Sequence, residues 1–90
     1  MAATVLDEAQ LIARIKDAFV ATDHAVVLRL IAEHERRFAR GAMTEDRMAW
    51  KAVALCQSGA VSKGAVAAAR LMERFPHSPH TRRVGAACGR

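Results

Sequence analysis

The stretch ERRFA at residues 35–39 returns as MERFP at residues 72–76, so that Phe75 follows Phe38 by 75 − 38 = 37 residues. Other positions match at the same displacement: Leu11 with Met48, Ala18 with Leu55, Thr22 with Gly59, and Ile31 with Ala68. Internal repeats of about 20–50 residues are typical of stacked supersecondary units that bury their apolar faces on one another. The chain is therefore predicted to contain two helix-turn-helix units of one design.

Apolar residues recur at spacings of three and four around this repeat, which predicts amphipathic helices over about residues 6–21, 24–39, 44–58 and 62–75. Gly41 and Gly59 can adopt the left-handed conformation and are expected to end the second and third helices. Thr44 and Ser62 are expected to cap the third and fourth helices. Pro76 ends the fourth helix. The Ser78-Pro79 pair then begins a last turn or short helix, because serine caps helices and proline suits their first position.

The second unit has a small residue, Gly64, five positions after the turn glycine Gly59, and Pro76 seventeen positions after it. This spacing resembles the tetratricopeptide repeat. The stretch RFPHSP at residues 74–79 is similar to the F-P-x-S-P ending of repeats in bacterial envelope-associated members of that family. The resemblance implies an all-α fold of two stacked hairpins and a short C-terminal helix, in one domain with repeats at about 6–41 and 43–78 and the terminal helix at about 79–88.

What the resemblance implies for function is a non-enzymatic protein-interaction module, a scaffold or an adaptor, and no reaction. In tetratricopeptide proteins the first helix of each hairpin lines the partner-facing groove. Carried over by position, that face consists of Lys16 in the first unit and Asp46, Val53 and Gln57 in the second. Phe19 and Cys56 are expected to lie deeper.

The net charge of +5 comes from the second half of the chain, since the first forty residues are balanced. An alternative basic face consists of five residues: Lys63, Arg70, Arg74, Arg82 and Arg83. The first interpretation of such a face is a solvated surface that serves solubility; the others are an acidic protein surface, an anionic surface or nucleic acid. Nucleic acid is the weaker interpretation, because no aromatic stacking platform or helix-turn-helix recognition pattern accompanies these cations.

The sequence has no pattern typical of catalysis, a cofactor or a metal site. Cys56 and Cys88 lack metal-ligand spacing, and Cys56 is expected to be a small buried side chain in a helix. The cysteines neither require an oxidising compartment nor exclude one. His77 and His80 have no third ligand nearby in sequence and are expected to be exposed loop residues. His34 falls on the apolar face of its helix, with one ring nitrogen hydrogen-bonded.

No apolar run reaches the roughly 20 residues that a membrane-spanning helix needs, so no transmembrane segment is predicted. The compartment stays open: cytoplasmic for the chain as written, periplasmic for a piece of an anchored protein. A third functional hypothesis is self-assembly into a homo-oligomer, because Trp50 and the broad apolar surface of the third helix exceed what a two-hairpin core is expected to cover.

Overall fold

The computed structural model describes residues 4–89, and the regular structure in this part of the chain is entirely helical. It has five helices: α1 (Val5–Val20), α2 (His24–Arg37), α3 (Thr44–Gln57), α4 (Val61–Arg74) and α5 (Thr81–Ala87). The predicted fold class is confirmed, since α1 pairs with α2, α3 pairs with α4, and a short fifth helix follows. α3 also packs on α2 and α5 and is therefore the central helix.

The helix bounds and turns of the two hairpins correspond at the displacement of 37 residues. α2 and α4 begin and end at equivalent positions, and α3 and α5 both begin at an equivalent threonine, Thr44 or Thr81. The hairpin turns coincide as well, because Thr22 (φ 57°) and Gly59 (φ 95°) both adopt the left-handed conformation. The terminal helix α5 is thus equivalent in position to α3, as the first helix of a third unit.

The same equivalence holds where α2 and α4 end. The backbone N–H of Phe38 donates to His34 O and that of Phe75 donates to Leu71 O, at 2.8 and 2.7 Å. The preceding arginine lies over each ring, with its guanidinium carbon 5.1 Å from the Phe38 centroid and 5.5 Å from the Phe75 centroid. The Arg-Phe pair that reveals the repeat in the sequence therefore closes both second helices in the same way.

The core has two parts, one for each hairpin. The first is formed mainly by the following buried side chains: Leu11, Ile12, Ile15, Val27, Leu30, Ile31 and Phe38. The second is formed by smaller ones: Ala49, Ala52, Val53, Ala67, Leu71 and Val84. Because most residues of the second part are small, α3 and α4 lie close together.

Several residues that were predicted to cap or end helices do so differently in the structure. Gly41 is not left-handed; the space where its Cβ would be is occupied by the Glu8 carboxylate. Ser62 does not cap α4, since that helix begins one residue earlier, after Ala60. Thr44 is the first residue of α3 and donates its hydroxyl to Gly41 O at 2.7 Å. The Ser78-Pro79 pair does begin a turn, as predicted, since the Thr81 N–H donates to Ser78 O at 3.3 Å, and α5 then begins at Thr81.

Cys56 is buried as predicted, but it is not simply a small hydrophobic side chain, because it forms a disulfide with Cys88. The bond fastens the end of α5 to α3 across a Cα–Cα distance of 5.0 Å. Gly64 of α4 lies against the same place: a Cβ there would collide with Cys56 Sγ and lie 3.0 Å from Cys56 N. A residue larger than glycine would therefore push α4 away from α3.

Candidate partner-binding site

Two grooves lie on opposite sides of α3. At about 100° of rotation per residue, Val53 and Gln57 project to one side of this helix, whereas Met48, Lys51 and Leu55 project to the other. The first groove runs between α1 and α5, and the second between α2 and α4. We refer to them as the first-helix groove and the basic groove.

The first-helix groove is lined by α1, α3 and α5, the first helices of the three successive units. Its lining residues are Phe19, Trp50, Val53, Gln57, Arg83, Ala86 and Ala87, and it encloses about 370 Å³. The Phe19 and Trp50 rings are in contact, with centroids 4.7 Å apart, and the Arg83 guanidinium carbon lies 4.8 Å from the Trp50 centroid. One aromatic pair and one cation from three separate helices thus form a single surface.

Two side-chain hydrogen bonds hold helices around this groove. His24 Nε2 and Gln57 Oε1 are 3.4 Å apart, which links the start of α2 to the end of α3. His80 Nε2 and Asp46 Oδ1 are 2.9 Å apart, which links the turn before α5 to the first turn of α3. The prediction that His80 is an exposed loop residue is therefore wrong, because its pairing with Asp46 leaves it only partly exposed. His77 is exposed, as predicted.

Only two of the four predicted partner-facing residues line the first-helix groove. Gln57 is exposed there, and Val53 contributes to the lining although its side chain is almost completely buried. Lys16 is exposed on α1 but lies outside the lining residues. Asp46 accepts the hydrogen bond of His80 described above. Phe19 is half-buried in the groove, at the depth expected for it.

The basic groove combines cationic and apolar side chains. α3 forms its floor with Arg47, Met48, Lys51 and Leu55, and α4 forms one wall with Lys63, Val66, Ala67, Arg70 and Arg74. Its volume is about 470 Å³. The one acidic residue in the lining, Glu35 of α2, is already paired with Lys51 Nζ at 2.9 Å.

The predicted basic face is divided by the fold. Lys63, Arg70 and Arg74 line the basic groove, as their spacing of seven and four indicates, but Arg83 lies in the first-helix groove on the other side of α3. Arg82 is exposed on α5 and lines neither groove. Arg47 and Lys51 of α3 join the basic groove, and the sequence did not indicate them because they belong to a different helix.

A buried polar chain connects α1, α2 and α3 behind the basic groove. Glu8 Oε2 accepts a hydrogen bond from His34 Nε2 at 2.9 Å, and Arg47 Nη1 lies 3.3 Å from His34 Nδ1. The Glu8 carboxylate also accepts the backbone N–H groups of Ala42 (3.1 Å) and Met43 (3.0 Å). His34 therefore has both ring nitrogens bonded, not one as predicted.

This polar chain stabilises the packing of the first hairpin on α3 and is closed to a substrate. His34 is fully buried, and Glu8 is 2% exposed. Burial lowers the pKa of the His34 imidazole, and the hydrogen bond to Glu8 opposes this shift without reversing it. Neutral His34 then donates through Nε2 to Glu8 and accepts from Arg47 through Nδ1, so both of its ring nitrogens are satisfied.

Within residues 4–89, no three histidine, cysteine, aspartate or glutamate side chains converge on a point where they could hold a metal ion. None of the helices there combines the length and apolarity that crossing a bilayer requires.

Comparison with known proteins gives no further assignment, since no protein-family model, curated protein or solved structure matches the chain.

Proposed function

We propose that this chain is a non-enzymatic protein–protein interaction module, of the scaffold or adaptor kind, that binds its partner in the first-helix groove. The observation that carries the proposal is the cluster of Phe19, Trp50 and Arg83 at the meeting point of α1, α3 and α5. Tryptophan and arginine are the residues most enriched among those that dominate binding energy at protein interfaces. Here both are held in place by neighbouring helices.

The geometry of the groove also favours a protein over a small substrate. Its lining is mostly apolar, and its polar members, Gln57 and Arg83, lie among alanine, valine and aromatic side chains. The groove contains no acid, base or nucleophile that could act on a bound molecule. The histidine of the polar chain is fully buried and lines neither groove. These features support binding without turnover.

The test begins with capture of a partner by the tagged domain and then measures its dissociation constant against variants. Replacement of Gln57 and Arg83 by alanine is expected to weaken binding at least tenfold, because both side chains line the groove. Lys16 is exposed on α1 outside the groove lining, so Lys16→Ala is expected to weaken binding less. Arg14→Ala, on an exposed part of α1 outside both linings, is the control and should change the affinity less than twofold.

Two other outcomes would replace the proposal. Loss of affinity only in an Arg70→Ala/Arg74→Ala variant, with steep dependence on salt, would place binding on the basic groove and favour the anionic-ligand alternative. A solution mass that rises with protein concentration and falls on substitution of Gln57 and Arg83 would instead make the groove a contact between copies of this chain. That result would favour the self-assembly alternative.

A further inference from the structure

We propose that the basic groove is a second, separate docking site, and that its occupant is an acidic segment of a partner protein that carries an apolar side chain between its carboxylates. This proposal concerns the opposite side of α3 from the first-helix groove. It therefore does not depend on the proposed function of that surface.

Charge complementarity identifies an anionic occupant. Five of the ten side chains that line the basic groove are cationic, and the single acidic one, Glu35, is engaged by Lys51. Within the described chain, no ion pair involves Lys63, Arg70 or Arg74. Three exposed cations on one face of α4 thus remain for the carboxylates of a ligand.

The buried Arg47 adds a fourth positive group behind the floor. It is 7% exposed, and its Nε has no acceptor among the described residues. Burial lowers the pKa of this guanidinium; the Glu35 carboxylate opposes that shift, and the nearby Arg74 adds to it. Arg47 therefore adds positive charge to this side of α3, which Glu35 and Glu8 partly compensate.

The apolar residues of the groove decide between the classes of anionic ligand. Met48, Leu55 and Val66 lie among the cations, and Val66 is 53% exposed although it is a β-branched apolar residue. A peptide can cover this surface with a leucine-sized side chain while its acidic residues reach α4. A nucleic acid would leave it uncovered, and none of the side chains that line this groove is an aromatic ring on which a base could stack.

The experiment is a fluorescence-anisotropy titration of the whole chain with labelled probes. The principal probe is a short peptide of glutamates that flank two leucines, and the second is the same peptide with serine in place of leucine. A single-stranded DNA oligonucleotide and phosphatidylglycerol vesicles are the two other anionic probes. We expect the leucine peptide to bind with a Kd on the order of 10 µM and the serine peptide to bind at least fivefold more weakly.

The variants distinguish binding in the basic groove from general electrostatic attraction to a basic protein. Arg70→Glu/Arg74→Glu is expected to weaken binding of the leucine peptide at least tenfold, and Val66→Ser to weaken it about threefold. Arg14→Glu/Arg29→Glu makes the same change in net charge at exposed positions of α1 and α2 outside the groove and should have less than a twofold effect. Lys63→Glu/Arg70→Glu repeats the test without altering Arg74, which contacts Phe75. Unchanged helical circular dichroism confirms that each variant is folded.

Four results would overturn the proposal. The first is equal loss of affinity in the control pair, and the second is equal affinity for the leucine and serine peptides. The third and fourth are tighter binding of DNA and tighter binding of vesicles than of the leucine peptide, which would make the groove a nucleic-acid or a membrane-surface site. The Gln57→Ala/Arg83→Ala variant should leave peptide binding unchanged, so failure here and failure of the first-helix groove are distinguishable.

Discussion

The chain contains two equivalent junctions, each formed where a hairpin packs on the helix that follows it. The buried side chains of the first junction are polar, and those of the second are apolar. Where α3 packs on the first hairpin, the contact is made by Glu8, His34 and Arg47. At the equivalent positions 37 residues later, where α5 packs on the second hairpin, the residues are Glu45, Leu71 and Val84, of which the last two are buried. The repeat therefore preserves helix ends and turns while the chemistry of the junction varies.

A second difference concerns how each junction is fastened on the side of the first-helix groove. Phe19 of α1 contacts the Trp50 ring of α3. The equivalent of Phe19 is Cys56, which is joined covalently to Cys88 of α5. Packing of aromatic rings is enough to hold a long helix such as α1. Helix α5 has seven residues and buries only Val84, so the disulfide supplies stabilisation that its small buried surface does not provide.

The largest expected effect comes from making the first junction resemble the second. His34→Leu leaves the Glu8 carboxylate and the Arg47 guanidinium without their common partner in a buried place, and should lower the free energy of unfolding by about 3–5 kcal/mol. Leu71→Ile, a substitution of equal volume at the equivalent position, should cost less than about 1.5 kcal/mol. Chemical denaturation measures both, and a His34→Leu cost below that of the control would show that the polar chain does not support the junction.

The polar junction is also the part of the fold that the sequence could not predict. Helix positions follow from local spacing of apolar residues, and all five helices start and end within about two residues of the prediction. Glu8 and Arg47 carry charges and fall in the first turn of their helices, where the normal expectation is exposure. Their burial depends on contacts between three helices, which no local pattern contains.

The residues of the two grooves could be predicted only in part, for the same physical reason. Gln57 and Val53 were identified because the first helices of successive units share a face, and Lys63, Arg70 and Arg74 because they share one side of a helix. The sequence does not place Trp50 and Arg83 in one partner-facing site with Phe19, since their meeting depends on how α5 packs against α3. The disulfide follows from the same unpredicted position of α5.

The disulfide is expected to have the next largest effect. Cys56→Ala/Cys88→Ala should lower the free energy of unfolding by about 2–4 kcal/mol, because the bond restricts the unfolded chain and holds α5 against α3. Denaturation of this variant should match that of the parent protein in reductant. A parent whose stability does not change on reduction would contradict the account of how α5 is fastened.

A smaller effect is expected from exchanging the residues of the two hairpin turns. Gly59→Thr places a side chain at φ 95°, outside the narrow left-handed region that non-glycine residues reach, and should cost about 1–2 kcal/mol. Thr22→Gly at φ 57° should change stability by less than about 1 kcal/mol. Thermal melting of the two variants measures these changes in stability. Equal losses of stability in both variants would mean that the two turns do not differ in backbone strain.

The smallest effect concerns pH. Because the folded-state pKa of His34 is lowered by burial, the unfolded chain binds this proton more readily, and stability falls as the pH drops below about 6.5. Above that pH the contribution of His34 is complete. Urea midpoints at pH 7.5 and 5.5 should therefore differ for the parent. They should differ less for His34→Leu, and an equal shift in that variant would assign the pH dependence to other groups.

The central claim, that the first helices of the three units together face a partner, is tested most directly by site-specific photocrosslinking in the source cells. A photoreactive residue at position 57 is compared with one at position 10, where Gln10 is exposed on α1 outside both grooves. The account predicts a crosslinked protein from position 57, lost when Arg83→Ala is added, and none from position 10. No product from position 57, or equal products from both positions, would contradict it.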